Sequence, residues 1–247
     1  MPPASWPAES NPKKFPPPLR LTTRQAIDKF GPSARKQLHL DFDQGDVKYP
    51  PEKISLVCLK QEKILLFYAS DKRNPQPQLL YSFPLSSFSG KIGPKLKEGD
   101  LQIPEGFYRV LNQRADMRLA LCVDYPNSFD REKAKQDRRK NLGSDILVHG
   151  GSYSTGCVVI SSEDMAKVFT AVYDCGCSNT SVLIAPCNLS TTKPDVDFKL
   201  QPIWLPSLYM SIKQKLSRYK IPERTAILQS LRTNTAKSIV ELLNARL

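Results

Sequence analysis

The stretch DILVHGGSYSTGCVVIS, residues 145–161, joins two short apolar runs through a loop of glycine, serine, tyrosine and threonine. The first run, 145–150, predicts a buried strand that stops at the histidine, and the second, 158–161, predicts the next strand. Two serines and two acidic residues follow, which is the pattern of a helix start. The stretch therefore predicts a strand–loop–strand–helix unit.

The flanking sequence predicts a mainly β fold with flanking helices, of the α+β class. Apolar, β-branched and aromatic runs predict strands at 53–60, 63–70, 79–88, 107–111, 119–125 and 181–186. The first two of these runs are separated only by Gln61 and Glu62, which predicts a hairpin. Two polar or Gly/Pro-punctuated segments, 89–106 and 126–145, are predicted to be long exposed loops.

The two ends of the chain differ from this β-rich centre. Residues 1–19 are proline-rich and predict an extended tail or linker. Residues 20–52 predict an N-terminal helical segment, made of two short helices broken at Gly31-Pro32. The catalytic-type domain is expected at 53–187, and 188–247 is expected to be a helical C-terminal extension. The leucines of that extension are expected to pack on the domain, with docking on an anionic surface as the alternative.

Composition narrows the classes of partner. The formal net charge is +12 and the pI is about 9.4, which favours anionic partners, although the basic residues are scattered. The sequence lacks the motifs of common nucleic-acid-binding modules, so we expect no nucleic-acid partner. No apolar run approaches the length of a membrane span, and the proline-rich start does not resemble a signal peptide.

The pair His149 and Cys157 is the candidate for chemistry. A histidine next to a thiol can activate it as a nucleophile, and two strand ends joined by eight residues can bring the two side chains together. Gly150 and Gly151 allow a sharp turn, and the backbone amides of 155–157 can converge on one point as an oxyanion hole. The alternative is a hydrogen-bonded structural histidine beside a thiol that packs as a small hydrophobe.

The remaining cysteines and the second histidine give no comparable signal. Cys58 and Cys122 lie inside apolar runs and are expected in the core, and His39 is expected to be structural. Cys175-Gly-Cys177 has neither a second cysteine pair nor a nearby histidine, so no metal site is predicted.

With these residues in hand, the chain resembles the YkuD-type L,D-transpeptidase family, and within it the YafK/ErfK branch. That family carries a His-Gly followed by Ser-x-Gly-Cys, which stand here as His149-Gly150 and Ser154-Thr155-Gly156-Cys157. The loop 93–110, with Pro104-Glu105-Gly106, and the segment 124–133 also resemble the family. The resemblance covers about residues 30–187 and implies a mixed β-sandwich with a helix after the cysteine.

The resemblance also implies an activity. Cys157 would attack the carbonyl of the third residue of a peptidoglycan stem peptide and form a thioester acyl-enzyme. His149 would serve as base and then as acid, oriented by a backbone carbonyl near Gly150. The amides of Thr155, Gly156 and Cys157 would form the oxyanion hole, and no cofactor is implied. The partners would be the anionic wall polymer, with a second stem peptide or a lipoprotein as acyl acceptor.

Two departures from the family pattern keep alternatives open. Many relatives carry a second histidine where Thr155 stands and an arginine shortly after the cysteine, where Val158 and Val159 stand. Lys91, Lys95 or Lys97 could replace that arginine as a carboxylate clamp. A hydrolase of the same fold (carboxypeptidase or endopeptidase, including cleavage of wall–lipoprotein links) and a non-catalytic wall-binding module are the alternatives. A wall substrate implies the periplasm or cell envelope, and therefore an export signal that this sequence lacks.

Overall fold

The structure, a computed structural model, describes residues 18–223. One helix is followed by five consecutive strands, and the remaining three strands are interspersed with three helices and two short 3-10 turns, at Cys177–Asn179 and Phe198–Leu200. The four helices are α1 (Thr23–Gln44), α2 (Ser128–Gln136), α3 (Ser162–Cys175) and α4 (Leu205–Leu216). The eight strands are β1 (Lys53–Leu59), β2 (Ile64–Ser70), β3 (Gln78–Pro84), β4 (Gly106–Arg114), β5 (Ala120–Val123), β6 (Leu147–Gly150), β7 (Val158–Ile160) and β8 (Thr180–Ala185).

All eight strands form one mixed sheet in the order β3-β2-β1-β8-β4-β5-β6-β7. The pairs β1–β8 and β6–β7 are parallel, and the other neighbours are antiparallel. A bridge between Ser87 and Val159 joins the segment after β3 to β7, the strand at the opposite edge. The sheet therefore curls back on itself, which confirms the predicted mixed, mainly β fold and gives it as one continuous sheet.

Two apolar cores lie on the two faces of this sheet. The main core, on the inner face, takes side chains from nearly every strand and from α1 and α3. The second core lies on the outer face of β1, β2 and β8 and is covered by α4. Because α1 shares the main core with the sheet, residues 20–52 pack as part of the same body as the strands.

Most predicted elements are present. The runs 53–60 and 63–70 form the predicted hairpin, in which Leu59 pairs with Ile64 across a short turn. Ser161 caps α3 by accepting a hydrogen bond from the Asp164 backbone amide. The segment 89–106 runs without a helix or strand until β4 begins at Gly106, and it lies over β6 and β7, as the contacts below show.

The prediction of two N-terminal helices broken at Gly31-Pro32 is wrong, because α1 runs unbroken with Pro32 inside it. An internal proline removes one backbone hydrogen bond and costs about 3 kcal/mol. The continuous buried face of α1, which includes Ile27 and Leu38, offsets that cost. Arg35 adds a bidentate hydrogen bond to Asp174 of α3, with both distances 2.7 Å.

The prediction that 126–145 is entirely loop is also wrong, because α2 lies within it. Ala134 is its only buried residue, so the sequence shows no apolar periodicity there. The helix begins instead with a capping box. Asn127 accepts a hydrogen bond from the Asp130 amide, and the Asp130 carboxylate accepts one from the Asn127 amide at 3.0 Å.

Residues of the predicted C-terminal extension are described only up to 223. Helix α4, in that part, packs its apolar residues on the second core. Residues 1–17 of the tail predicted at 1–19 lie outside the described residues. The helix predicted after Pro222, with its leucines at 228, 231, 242 and 243, lies outside them as well. None of the helices described between residues 18 and 223 has the length and apolarity to cross a membrane.

A buried ion pair fixes the segment 89–106 to the sheet. Lys60 and Glu105 are both inaccessible to solvent, and their charged groups lie 2.9 Å apart. The Lys60 ammonium also donates to the carbonyl oxygens of Gly93 and Ile103. Glu105 accepts further hydrogen bonds from the Gly93 amide and from the Tyr209 hydroxyl of α4. One cluster thus joins the sheet, the segment and α4.

We expect Lys60→Met to destabilise the protein by about 3–5 kcal/mol, because it leaves the Glu105 carboxylate buried without a counter-charge. Urea unfolding followed by circular dichroism measures the change. Lys60→Met/Glu105→Gln should lose less than the single variant, since the uncompensated charge is gone. Lys36→Met, at an exposed position of α1, is the control, and an unfolding midpoint for Lys60→Met equal to that control would contradict the expectation.

Candidate active site

His149 and Cys157 lie on two neighbouring strands. His149 is the third residue of β6 and pairs with Val159 of β7, while Cys157 comes directly before β7. Paired residues of parallel strands point to the same face, and side chains two positions apart in a strand do so as well. If the alternation of β7 extends one residue back, Cys157 and His149 therefore share one face. It is the outer one, because Val148 and Val158 enter the main core.

The His149 ring is held by the backbone. The side chain is 4% exposed, and Nδ1 lies 2.9 Å from the Gly150 carbonyl oxygen. A carbonyl oxygen can only accept, so Nδ1 carries the proton and Nε2 is left with its lone pair. Burial, with a smaller contribution from Arg118, holds the pKa of His149 below its ordinary value of 6.5. The imidazole is therefore neutral at neutral pH and able to accept a proton.

Cys157 is half-buried, and its sulfur lies 3.9 Å from the Asp145 carbonyl oxygen. Burial raises the pKa of this thiol, while a backbone hydrogen bond at Leu147 and the positive charges of Arg118 and Lys95 act in the opposite direction. Within residues 18–223, no hydrogen bond joins this thiol to the imidazole. The resting pair consists of a neutral thiol and a neutral base.

A serine cluster holds the loop between the two residues. Ser154 is buried and donates to the Cys157 carbonyl oxygen at 2.8 Å. Its hydroxyl lies 2.9 Å from that of Ser89, which also donates to the Leu101 carbonyl oxygen. The segment 85–105 is therefore bonded directly to the motif. Ser89 is a site residue that the sequence did not indicate, since it lies 68 positions before the cysteine.

The three amides of the predicted oxyanion hole differ in availability. The Gly156 amide already donates to Ser89 Oγ at 2.8 Å, with Ser154 Oγ 3.3 Å away. In the described part of the chain, no hydrogen bond uses the amide of Thr155 or that of Cys157. Thr155 is exposed beside the half-buried cysteine. In the described residues, two of the three amides therefore have no hydrogen-bond partner, and the third is occupied by a serine hydroxyl.

Each glycine of the motif is required at its position for its own structural reason. Gly151 has a φ of +136° and makes the turn after β6. Gly150 is required by close packing, since a Cβ there would lie 3.0 Å from the Ser162 Cα of α3. Gly156 combines both reasons, with a φ of +112° and the Gln102 carbonyl oxygen 2.9 Å from an added Cβ.

Positive charge near the pair comes from an unpredicted residue. Arg118, in the β4–β5 turn, is half-buried, and its Nη1 lies 3.7 Å from where a Gly151 Cβ would be. In the region 18–223 it forms no salt bridge. Of the lysines considered from sequence, Lys95 is bound to Asp100 at 2.6 Å, and Lys91 and Lys97 are exposed.

The other candidates lie elsewhere. All six cysteines are unpaired thiols, and Cys58 and Cys122 are buried as predicted. His39 lies on α1, with its ring 4.7 Å from that of Tyr49. No group of three or more His, Cys, Asp or Glu side chains in the described residues is arranged to hold a metal ion.

We expect Gly156→Ala to lower the unfolding temperature and to disturb the Cys157 loop, because the new methyl group meets the Gln102 carbonyl at a strained φ. The cost should be about 2–3 kcal/mol. Gly99→Ala is the matched control, since Gly99 also has a positive φ, +72°, but has open space around its Cβ position. Thermal unfolding measures both, and equal losses in the two variants would show that the Gln102 contact is unimportant.

Comparison with known proteins adds an independent observation. No family model matches the chain. YafK from Escherichia coli strain K12 and from strain O157:H7, each named provisionally as an L,D-transpeptidase, are 34% identical to it over 123 residues. The match covers 48% of this chain and 47% of each relative, so the chain spans about half the length of these curated relatives.

Two solved structures show a distant likeness. The helical cell shape determining protein Pgp2 from Campylobacter jejuni is 20% identical, with a TM-score of 0.46 over 61% of this chain and 52% of that one. L,D-transpeptidase 1 from Mycobacterium tuberculosis is 12% identical, with a TM-score of 0.31 over 53% and 61%. The identity to YafK is the stronger finding. Over the matched residues, the chain is similar to YafK, and this similarity supports the resemblance to the YafK branch of the YkuD-type L,D-transpeptidase family that its motifs indicated.

Proposed function

We propose that this protein is a cysteine acyl-transferase that acts on peptidoglycan stem peptides, with Cys157 as nucleophile and His149 as its base. The observation that carries the proposal is the buried imidazole, whose Nδ1 is bound to the Gly150 carbonyl on the strand next to the thiol. That hydrogen bond leaves Nε2 as the proton acceptor. The carbonyl performs the orienting task that a carboxylate has in a catalytic triad.

The chemistry follows from these positions. His149 Nε2 takes the thiol proton as Cys157 Sγ bonds to the carbonyl carbon of the third stem-peptide residue. The tetrahedral intermediate collapses when the bond to the following D-residue breaks, and the imidazolium returns its proton to the leaving amine. A thioester remains on Cys157. An amine from a second stem peptide or a lipoprotein then takes the acyl group.

The developing oxyanion is stabilised by the loop before the cysteine. The amides of Thr155 and Cys157 are available in the resting site, and the Gly156 amide joins them when the oxyanion displaces the Ser89 hydroxyl. Ser154 supports this arrangement by bonding the Cys157 carbonyl. Each donor directed at the oxyanion contributes about 3 kcal/mol to an acyl transfer.

A hydrolase of the same fold is the second candidate. Thr155 is exposed and Cys157 is half-buried, so water has a path to the thioester from the same side as an amine. Attack by water would make the protein an L,D-carboxypeptidase or an endopeptidase, the latter including cleavage of wall–lipoprotein links.

Incubation with a stem tetrapeptide or a carbapenem, followed by intact-protein mass measurement, tests the assignment. The wild type should gain one covalent adduct, and Cys157→Ala should gain none because the nucleophile is absent. Cys177→Ala, which removes another partly exposed thiol, is the matched control and should keep the adduct. An adduct on Cys157→Ala would refute the role of this residue. Wall binding without any adduct on the wild type would indicate a binding module.

Digestion of purified sacculi then separates the activities by product. New cross-links between two third residues indicate a transferase, shortened tripeptides a carboxypeptidase, and released lipoprotein or cut cross-links an endopeptidase.

Arg118 is the proposed carboxylate clamp of this site. Val158 faces the main core and Val159 is buried beside His149, so neither position could direct a cation at a substrate without repacking. Arg118 lies next to Gly151, at the mouth of the same loop, and carries a charge that no described carboxylate neutralises. A guanidinium in that place can bind a stem-peptide carboxylate in a bidentate manner.

We expect Arg118→Gln to raise KM for a tetrapeptide with a free C-terminal carboxylate about tenfold or more, with a smaller change in kcat. A lost hydrogen bond to a charged group is worth about 1.5–3 kcal/mol. The preference for the free carboxylate over its amide should disappear in Arg118→Gln and return in part in Arg118→Lys. Arg24→Gln, on the exposed face of α1, is the control. An unchanged preference in Arg118→Gln would rule out the clamp.

The proposed substrate also sets a proposed location. Peptidoglycan lies outside the inner membrane, so the protein would work in the periplasm or cell envelope. A net charge of +12 suits a protein that acts on an anionic polymer.

A further inference from the structure

A cavity of about 600 Å³ lies at the N-terminal ends of β1 and β8, beside the last turns of α4. No acidic residue lines it. Its lining includes four cationic side chains, which are Lys53, Arg109, Lys215 and Arg218. The hydroxyls of Ser55 and Ser181, 3.1 Å apart, lie on its floor between β1 and β8.

Three of the four cations lack a neutralising partner. Arg109 is paired with Asp124 at 3.2 Å, and Asp124 is not part of the lining. In the described chain, Lys53, Lys215 and Arg218 form no salt bridge. Like charges gathered around a concave surface focus a positive potential into it. The cavity is therefore suited to an anion and unsuited to a cation.

The cavity opens on the same face of the sheet as the candidate active site. Ile54 and Leu56 enter the main core, so Ser55 between them projects from the outer face, as His149 does beside Val148. Strands β4, β5 and β6 separate β8, which borders the cavity, from β7, which follows Cys157. A ligand in the cavity therefore does not occupy the space around Cys157.

We propose that this cavity is a second, non-catalytic binding site for carboxylates of the wall polymer, occupied by a stem peptide other than the one attacked by Cys157. The identity of the polymer rests on the proposed function, and the anionic character of the ligand rests on the cavity alone. Such a site holds the protein on an insoluble substrate between turnovers. It accounts for a cluster of basic residues that the chemistry at Cys157 does not use.

Co-sedimentation with purified sacculi tests the site. We expect the apparent Kd to rise about tenfold in the cavity variant Lys53→Gln/Lys215→Gln/Arg218→Gln. A tenfold change corresponds to about 1.4 kcal/mol. Shared among three contacts, this energy is of the size usual for exposed ion pairs. Thioester formation on a soluble tetrapeptide should not change. The control Lys36→Gln/Arg138→Gln/Lys140→Gln removes the same charge from exposed positions outside the cavity and should change the Kd less than twofold. Thermal midpoints of all variants establish that each is folded.

Two results would overturn the proposal. Equal weakening in the cavity variant and the control would mean that only net charge matters, and unchanged binding to sacculi with amidated carboxylates would exclude carboxylates as the ligand. If instead the proposed function is wrong, binding to sacculi would still depend on the cavity residues, but no adduct would form on Cys157.

Discussion

The buried ion pair between Lys60 and Glu105 is the constraint on which the candidate site depends. Lys60 follows β1 and Glu105 precedes β4, so the pair joins these two strands at the same edge of the sheet, on either side of the end of β8. Two charges without water are stable only when every donor and acceptor is used, and here the carbonyls of Gly93 and Ile103 and the hydroxyl of Tyr209 complete the cluster. The segment between Gly93 and Glu105 thereby has a fixed path.

That fixed path determines the geometry around the cysteine. The connection from β3 to β4, which contains that segment, presents the Ser89 hydroxyl to the Gly156 amide and the Gln102 carbonyl to the Gly156 Cα. Its first residues bridge to Val159 and close the curled sheet. The motif loop is therefore shaped from outside, by a segment that has no regular secondary structure of its own.

Much of the fold could be predicted from the sequence because its strands are continuous apolar runs. The hairpin at 53–70 and the unit from β6 to α3 are examples, since their pattern is local. Helix α1 was predicted as two helices because a proline is a strong local signal, while the tertiary face that outweighs it is not visible locally. Helix α2 was not predicted because a capping box, rather than burial, starts it.

In the candidate site too, local features could be predicted from the sequence and features that depend on the tertiary fold could not. The pair His149 and Cys157, with its glycines, could be found because the motif is contiguous. Ser89 and Arg118 could not, since each comes from a distant connection and reaches the motif only through the folding of the sheet. Gly150 illustrates a second limit: the sequence indicated a turn, while the structure shows a close approach to α3.

The hydrogen bond from the Gly156 amide to Ser89 has a consequence for how the site would distinguish states of its substrate. A neutral carbonyl oxygen that replaced the serine hydroxyl would exchange one neutral acceptor for another and gain little. A negatively charged oxygen would gain much more, because hydrogen bonds to ionised acceptors are roughly twice as strong. Because Ser89 occupies the Gly156 amide at rest, this amide would bind the charged oxygen of the tetrahedral intermediate much better than the neutral substrate carbonyl. The binding energy of this hydrogen bond would therefore lower the barrier of the reaction rather than strengthen substrate binding.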